Sequence, residues 1–212
     1  MEKKILKKSV FITFEGSEGS GKSTQIRLLT KHLIKRGYPV VCLREPGGTL
    51  IGEKIRKILL DPKNDQMVPI TELLLYMASR VQIVKEKILS YLREPKIIIC
   101  DRFLDSTLAY QGYGGMVDIG LIKRLAKFVC GEIRPDLTFF LDIETKEGLE
   151  RAGKKKDRIE EKSVSYHRRV RKGYLGLAKE EPGRIKVIRI KADKNSVQKK
   201  IREIVERWLS VR

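Results

Sequence analysis

Gly16-Ser17-Glu18-Gly19-Ser20-Gly21-Lys22-Ser23 is a full match to the pattern G-x-x-x-x-G-K-[ST]. Glycines at these positions let successive backbone N–H groups turn inward around an anion, and a helix beginning just after them adds its positive end. Such a loop, with Thr24 beside it, cradles the phosphates of a nucleoside triphosphate. Lys22 is expected to bridge the β- and γ-phosphates, and the hydroxyl of Ser23 to ligate Mg2+. The pattern carries this meaning only between a strand and a helix, and both are legible here. Residues 9–15 form a short apolar run, and residues 22–35 follow a helical period.

Working outward, similar strand-like runs occupy residues 38–43, 96–101, 137–143 and 185–190, each short and rich in Ile, Val or Phe. Helix-period segments lie between them, at 50–60, 70–92, 105–130 with a break at Gly112, Gly114 and Gly115, and 163–179. A last one spans 196–209, with Asn195 or Ser196 as its N-cap. The alternation implies an α/β fold: a five-stranded parallel sheet of strands buried on both faces, covered by helices on each side. Ligands then sit at the carboxyl edge of the sheet. The third strand ends in Ile97-Ile98-Ile99-Cys100-Asp101, an apolar run closed by a carboxylate, which makes Asp101 the second expected metal ligand. Asp142, at the tip of the fourth strand, is read either as a competing metal ligand or as a capping or surface acid.

The 212 residues, 41% hydrophobic, suffice for one sizeable core, and residues 1–212 are read as a single domain. No apolar run reaches the roughly 20 residues of a membrane span, and Met1 to Lys8 is basic without a following signal-like stretch, so a cytoplasmic chain is expected. Cys42, Cys100 and Cys130 lack paired metal-ligand spacing; they are read as reduced structural thiols, Cys42 and Cys100 on buried strands. The net charge of +19 is spread along the chain. It suits any anionic ligand and selects none.

Further motifs resemble those of the thymidylate kinase family from the first strand to about residue 160. They are Phe14-Glu15-Gly16, Arg44-Glu45-Pro46-Gly47-Gly48-Thr49, Asp101-Arg102-Phe103 followed by Ser106, Tyr110-Gln111-Gly112, and Asp157-Arg158-Ile159-Glu160. The resemblance implies a P-loop NTPase fold and phosphorylation of dTMP to dTDP by ATP with Mg2+, in a homodimer. Arg44 and Arg102 correspond to the family's clamps on the acceptor phosphate, and Glu18 to an acid directed at the sugar's 3′-hydroxyl. Tyr110 stands where a ring crowds the 2′ position. Tyr76 and Arg80, four apart and so on one helix face, stand where the family holds thymine, while Ser106 and Gln111 flank the pocket. Residues 151–160 correspond to a short mobile lid. Because Gly19 occupies the loop position where one family branch carries an arginine, the chain resembles the lid-arginine (bacterial-type) branch. Arg151 and Arg158 are its expected catalytic cations, with Lys154 to Lys156 as substitutes. Lys191-Ala192-Asp193 falls where the family approaches adenine, Ala192 being the expected contact. No Asn-Lys-x-Asp reader of guanine is present, in keeping with ATP as donor.

Two alternatives compete. One is a P-loop kinase for another acceptor, such as dUMP, a different monophosphate or a small alcohol. The other is an ATPase that binds nucleic acid through its positive surface; the chain's compactness and the acid Glu18 inside the loop argue against it and against any specific nucleic-acid partner.

Overall fold

A computed structural model describes residues 4, 6–153, 156–190 and 193–210. Five parallel strands, β1 (Val10–Glu15), β2 (Val40–Arg44), β3 (Ile97–Asp101), β4 (Leu137–Asp142) and β5 (Ile185–Arg189), form one sheet in the order β2-β3-β1-β4-β5. The order reverses beside β1, so the loop after β1 opens at the switch point where α/β sheets bind ligands. Phe14 pairs with Asp101 and Asp101 with Arg44, which brings three strand ends level at one edge.

Alternation along the strands sorts the core into two layers. Phe11, Ile98, Cys100 and Phe140 pack against α3 (Pro69–Ile83), α6 (Ile119–Cys130) and α8 (Val164–Glu180). Ile12, Phe14, Ile99 and Leu141 face the other way, against α1 (Lys22–Lys35) and α9 (Lys194–Ser210). The second helix, α2 (Leu50–Leu60), lies against α3 and is capped by Thr49, whose side chain accepts from the Gly52 amide.

The expected helix over 70–92 is composite: α3 runs through a π-helical segment, Val84–Ile88, into α4 (Leu89–Leu92). The segment after β3 is likewise composite, with α5 (Leu104–Thr107) passing into a π segment, Leu108–Gly114, before α6. Such π segments often mark functional sites, and this one carries Tyr110 and Gln111. An eight-residue helix, α7 (Thr145–Ala152), was not expected. It buries only Thr145 and Gly148, so no apolar stripe betrays it, and Glu144 caps it through the amides of Lys146 and Glu147. Two further expectations are corrected. Asp193, rather than Asn195 or Ser196, caps α9, accepting from the Asn195 amide at 2.8 Å and the Ser196 hydroxyl at 2.6 Å. The edge strand β2 is only half-buried and Cys42 is exposed, because an edge strand lacks a neighbour and cover on one side.

Ile99, on β3 between the edge strand and the central strand, is fully buried. Replacing it with alanine is expected to cost about 2–5 kcal/mol. Urea unfolding should show a lower midpoint with an unchanged m value.

Candidate active site

The phosphate loop leaves β1 through Gly16, at φ 141°, and enters α1 after Gly21, at φ 85°. Lys22 is buried and curls back over the loop, where its Nζ donates to the carbonyls of Gly16 (2.9 Å) and Ser17 (2.8 Å). Burial, and then the charge of Arg102, push the Lys22 ammonium down to about 8, against the opposing pull of Glu18, Asp101 and Glu15. Ser20 is buried and donates to the Ser17 carbonyl at 2.6 Å, tightening the turn.

At the end of β3 the chain turns through Arg102 at φ 70°, a left-handed conformation unusual for a residue with a side chain. Its guanidinium bonds the Glu18 carboxylate at 2.6 Å and lies 5.0 Å from the centre of the Tyr110 ring, whose hydroxyl donates to the same carboxylate at 2.9 Å. Burial pushes the Glu18 carboxyl up, but Arg102 and Lys22 outweigh it and hold it below the ordinary carboxylate value. Beneath this group lies Glu15, fully buried. It accepts from the Phe103 amide at 2.8 Å, from Tyr174 at 3.0 Å and from the Ser106 hydroxyl. Burial, and next the neighbouring Asp105, push the Glu15 carboxyl up to about 7.

A cavity of about 210 Å³ opens between α3, α5 and the loop after β2. Tyr76, Arg80, Arg102, Ser106, Tyr110 and Gln111 all line it, as do Glu18, Lys22 and Arg44. Eight acceptor-site expectations from four separate stretches, Glu18 and Arg44 included, therefore meet at one place. Arg80 is not the freely reaching side chain its helical position implies. It is 1% exposed and held by Glu45 at 2.6 Å, Thr107 at 2.8 Å and the Phe103 carbonyl at 3.0 Å, so it forms a fixed wall. Arg44 is half-exposed and bonds Glu53 at 2.7 Å. A second cavity lies over the phosphate loop, lined by Gly19, Gly21, Lys22, Ser23, Thr24 and Arg151 among others. The two cavities share Glu18, Lys22 and Glu160.

Ser23 and Asp101 are side by side, hydroxyl to Oδ2 at 3.4 Å. The other oxygen, Oδ1, is buried and accepts no hydrogen bond from the described residues. An orphaned carboxylate oxygen next to a serine hydroxyl is a donor set that fits a hard cation such as Mg2+. Asp142 is engaged elsewhere, in a two-pronged pair with Arg171 at 2.6 and 3.2 Å.

Arg151 and Arg158 part company. Arg151 sits in the last turn of α7, paired with Glu147 at 2.6 Å, and borders the phosphate-loop cavity. Arg158 is 4% exposed and lines neither cavity. Its Nη1 meets Glu72 at 2.7 Å and its Nε the Leu59 carbonyl at 2.8 Å. Arg158, expected as a catalytic cation, is thus packed as a buried tie, with its Nη2 meeting no hydrogen-bond partner among the described residues. Lys154, Lys155, Lys191 and Ala192 lie outside the described residues.

The thymidylate kinase family model matches residues 14–201. The chain belongs to the thymidylate kinase family. It is 48% identical to a thymidylate kinase of Symbiobacterium thermophilum over 202 residues, 95% of this chain and 94% of the other. It is 50% identical to one of Geobacter sulfurreducens over 186 residues, covering 84% and 87%. A crystal structure of thymidylate kinase from Ehrlichia chaffeensis superposes with a TM-score of 0.79 at 37% identity, covering 93% of this chain and 99% of that one. The architecture is accordingly the P-loop NTPase fold. Within the thymidylate kinase family, Gly19 gains a steric reason: a Cβ there would run into the Gly148 carbonyl and the Cβ of Arg151. Helix α7 fills the space that a side chain at position 19 would need.

The sequence reading assigned no role to Glu15, Glu45 and Glu72, the buried acids that hold the site's arginines and hydroxyls, although Glu15 and Glu45 stand within its motifs. Glu72 had a local signal, since Glu72, Tyr76 and Arg80 recur every four residues on one face of α3.

Glu15 generates a pH prediction. Its pKa is higher folded (about 7) than the ordinary 4.5, so the folded state binds more protons between these values, and its contribution to stability falls as pH rises through that window. Glu15→Gln removes this dependence. Measured by urea unfolding from pH 4.5 to 7, stability of the variant relative to the natural chain is expected to rise by on the order of 3 kcal/mol.

Proposed function

We propose that the chain transfers the γ-phosphoryl group of ATP to dTMP, giving dTDP, and that the two adjoining cavities are its donor and acceptor sites. The observation carrying this reading is that Lys22 and Glu18 belong to both cavities. A phosphoryl group held by the phosphate loop is thereby set next to whatever the Tyr76–Arg80 cavity holds. Family membership supplies the acceptor.

In this reading the loop from Gly16 to Thr24 binds the ATP phosphates through its amides, and Ala192 approaches the adenine. Ser23 and Asp101 would hold Mg2+, which would supply charge neutralisation to the transferring phosphate. Arg102, poised against Glu18, takes the acceptor phosphate together with Arg44, whose pair with Glu53 is half-exposed and free to exchange. Tyr76 stacks on thymine and Arg80 bounds its edge near O4, while Ser106 and Gln111 complete the wall. Glu18 and Tyr110 face the deoxyribose. An oxygen of the acceptor phosphate then attacks the γ-phosphorus in line as the bond to the β,γ-bridging oxygen breaks and ADP leaves, and catalysis is positioning and charge neutralisation with no protein nucleophile. Residues 151–160 act as a short lid on one catalytic domain, and Arg151 brings its cation over the transferring group. Arg158 serves by pinning the base of that lid.

The chain works in the cytosol as a homodimer. Support for a second copy comes from the apolar side chains exposed on α2 and α3, including Leu50, Ile51, Ile58, Ile70 and Leu74, which water would otherwise cover. Among the described residues no helix is long and apolar enough to cross a membrane.

An ADP-release assay with ATP and Mg2+ against dTMP, dUMP, UMP, dCMP, AMP and dGMP, with a no-acceptor control, tests the reaction. Turnover is expected to be greatest with dTMP. Dominance by another monophosphate would replace the acceptor assignment, and hydrolysis indifferent to every acceptor would favour the nucleic-acid ATPase. The two lid arginines should separate cleanly. Arg151→Ala is expected to lower kcat by at least roughly a hundredfold with an unmoved Tm. Arg158→Ala is expected to lower stability by about 3 kcal/mol, because it strands part of a buried carboxylate's pairing.

A further inference from the structure

Gln111 lines the acceptor cavity, and its side chain makes one hydrogen bond among the described residues, from Nε2 to Glu72 Oε1 at 2.8 Å. Its Oε1 accepts none of the described hydrogen bonds and is not sealed in the interior, which leaves it for the cavity. Glu72 is 2% exposed and cannot swing away. Its second oxygen is held by Arg158 of the lid segment at 2.7 Å and by Lys162 just after it at 2.8 Å. Burial pushes this carboxyl up, but Lys162, Gln111 and Arg158 outweigh it and keep it below the ordinary value, so it stays ionised at neutral pH. An ionised carboxylate only accepts hydrogen bonds. The Gln111 amide must therefore turn its NH2 toward Glu72, because the flipped amide would set oxygen against oxygen at hydrogen-bond distance.

We infer that Glu72 is a positioning residue for base selection: it locks the Gln111 amide so that this side chain offers a hydrogen-bond acceptor, and no donor, to the edge of the base. This rests on the cavity being the dTMP site. Thymine and uracil carry N3–H, a donor that suits Gln111 Oε1. Cytosine has a bare N3, an acceptor, and would leave two acceptors facing each other in a desolvated site. Arg80, fixed by Glu45, Thr107 and Phe103, opposes the cytosine amino group in the same sense. Selection against cytosine is then exercised by a residue that touches no substrate, and the two cations holding Glu72 make it depend on the seating of the chain from Arg158 to Lys162.

Glu72→Gln tests this directly. A glutamine at 72 can donate or accept, so the Gln111 amide is freed to turn either way while shape is kept. Steady-state kcat and KM are measured for dTMP, dUMP and dCMP. In E72Q the ratio of kcat/KM for dTMP to that for dCMP is expected to fall by at least about tenfold, mostly through KM, while the dTMP to dUMP ratio stays level. Glu72→Asp is the second variant, should E72Q fold poorly. It keeps the charge facing Arg158 and Lys162 but draws the carboxylate back by roughly 1.5 Å, out of reach of Gln111. The same fall in the dTMP to dCMP ratio is expected. In the Gln111→Leu background, adding E72Q should leave the ratio where Q111L alone puts it. A preference for dTMP that E72Q and E72D keep, with all three acceptors slowed by one common factor, would reduce Glu72 to a structural role and overturn the inference alone. A natural chain with no preference for dTMP over dCMP would overturn the acceptor assignment and the inference with it.

Discussion

A carboxylate at the end of the central strand has to be satisfied without water, and much of the site's geometry follows from how Glu15 achieves this. It is fully buried, and its partners come from three places: the Phe103 amide just past β3, the Ser106 hydroxyl on α5 and the Tyr174 hydroxyl on α8. Leaving any of these unmade would cost about 1–3 kcal/mol. The turn between β3 and α5 is therefore pulled down against β1, and Arg102 is held at a positive φ with its side chain over the phosphate loop. The strain at one residue is matched by hydrogen bonds at its neighbours.

The same device recurs. Glu18 with Arg102, Glu45 with Arg80 and Glu72 with Arg158 are each an acid and an arginine from separate stretches of chain, at 2.6, 2.6 and 2.7 Å. Buried pairs of this kind add little net stability, since desolvation offsets most of the attraction, but breaking one is costly. Their effect here is geometric. Arg102 and Arg80 are thereby pre-aimed at the acceptor cavity, so little ordering remains to be done when a substrate arrives, while Arg158 fixes Glu72. The charge of +19 acts at longer range, favouring anionic ligands in general without specifying which one binds.

The phosphate loop and the strand–helix alternation were legible because both depend on local geometry. A strand's two-residue period and a helix's turn of 3.6 residues are written into consecutive residues. For that reason the five strands fell close to their observed bounds, and the common face of Tyr76 and Arg80 was evident before any coordinates. Helix α7 escaped because it buries too little to carry a periodic stripe, and its cap is a glutamate, an uncommon choice. The exposure of Cys42 was equally hidden, since a run of Val-Val-Cys-Leu reads alike in a central strand and at an edge.

The chain by itself determined the nucleotide-binding loop, the parallel sheet and the family, all of which rest on spacing within one element or on short motifs. Only the tertiary structure decided that β2 is an edge, that Arg151 stands at the loop while Arg158 is buried, and that Glu15, Glu45 and Glu72 organise the site. Those outcomes depend on which elements become neighbours and on how much water is excluded between them. A charged side chain reads the same in sequence whether it meets solvent or a partner 86 residues away, as Arg158 meets Glu72, and burial alone converts one into the other.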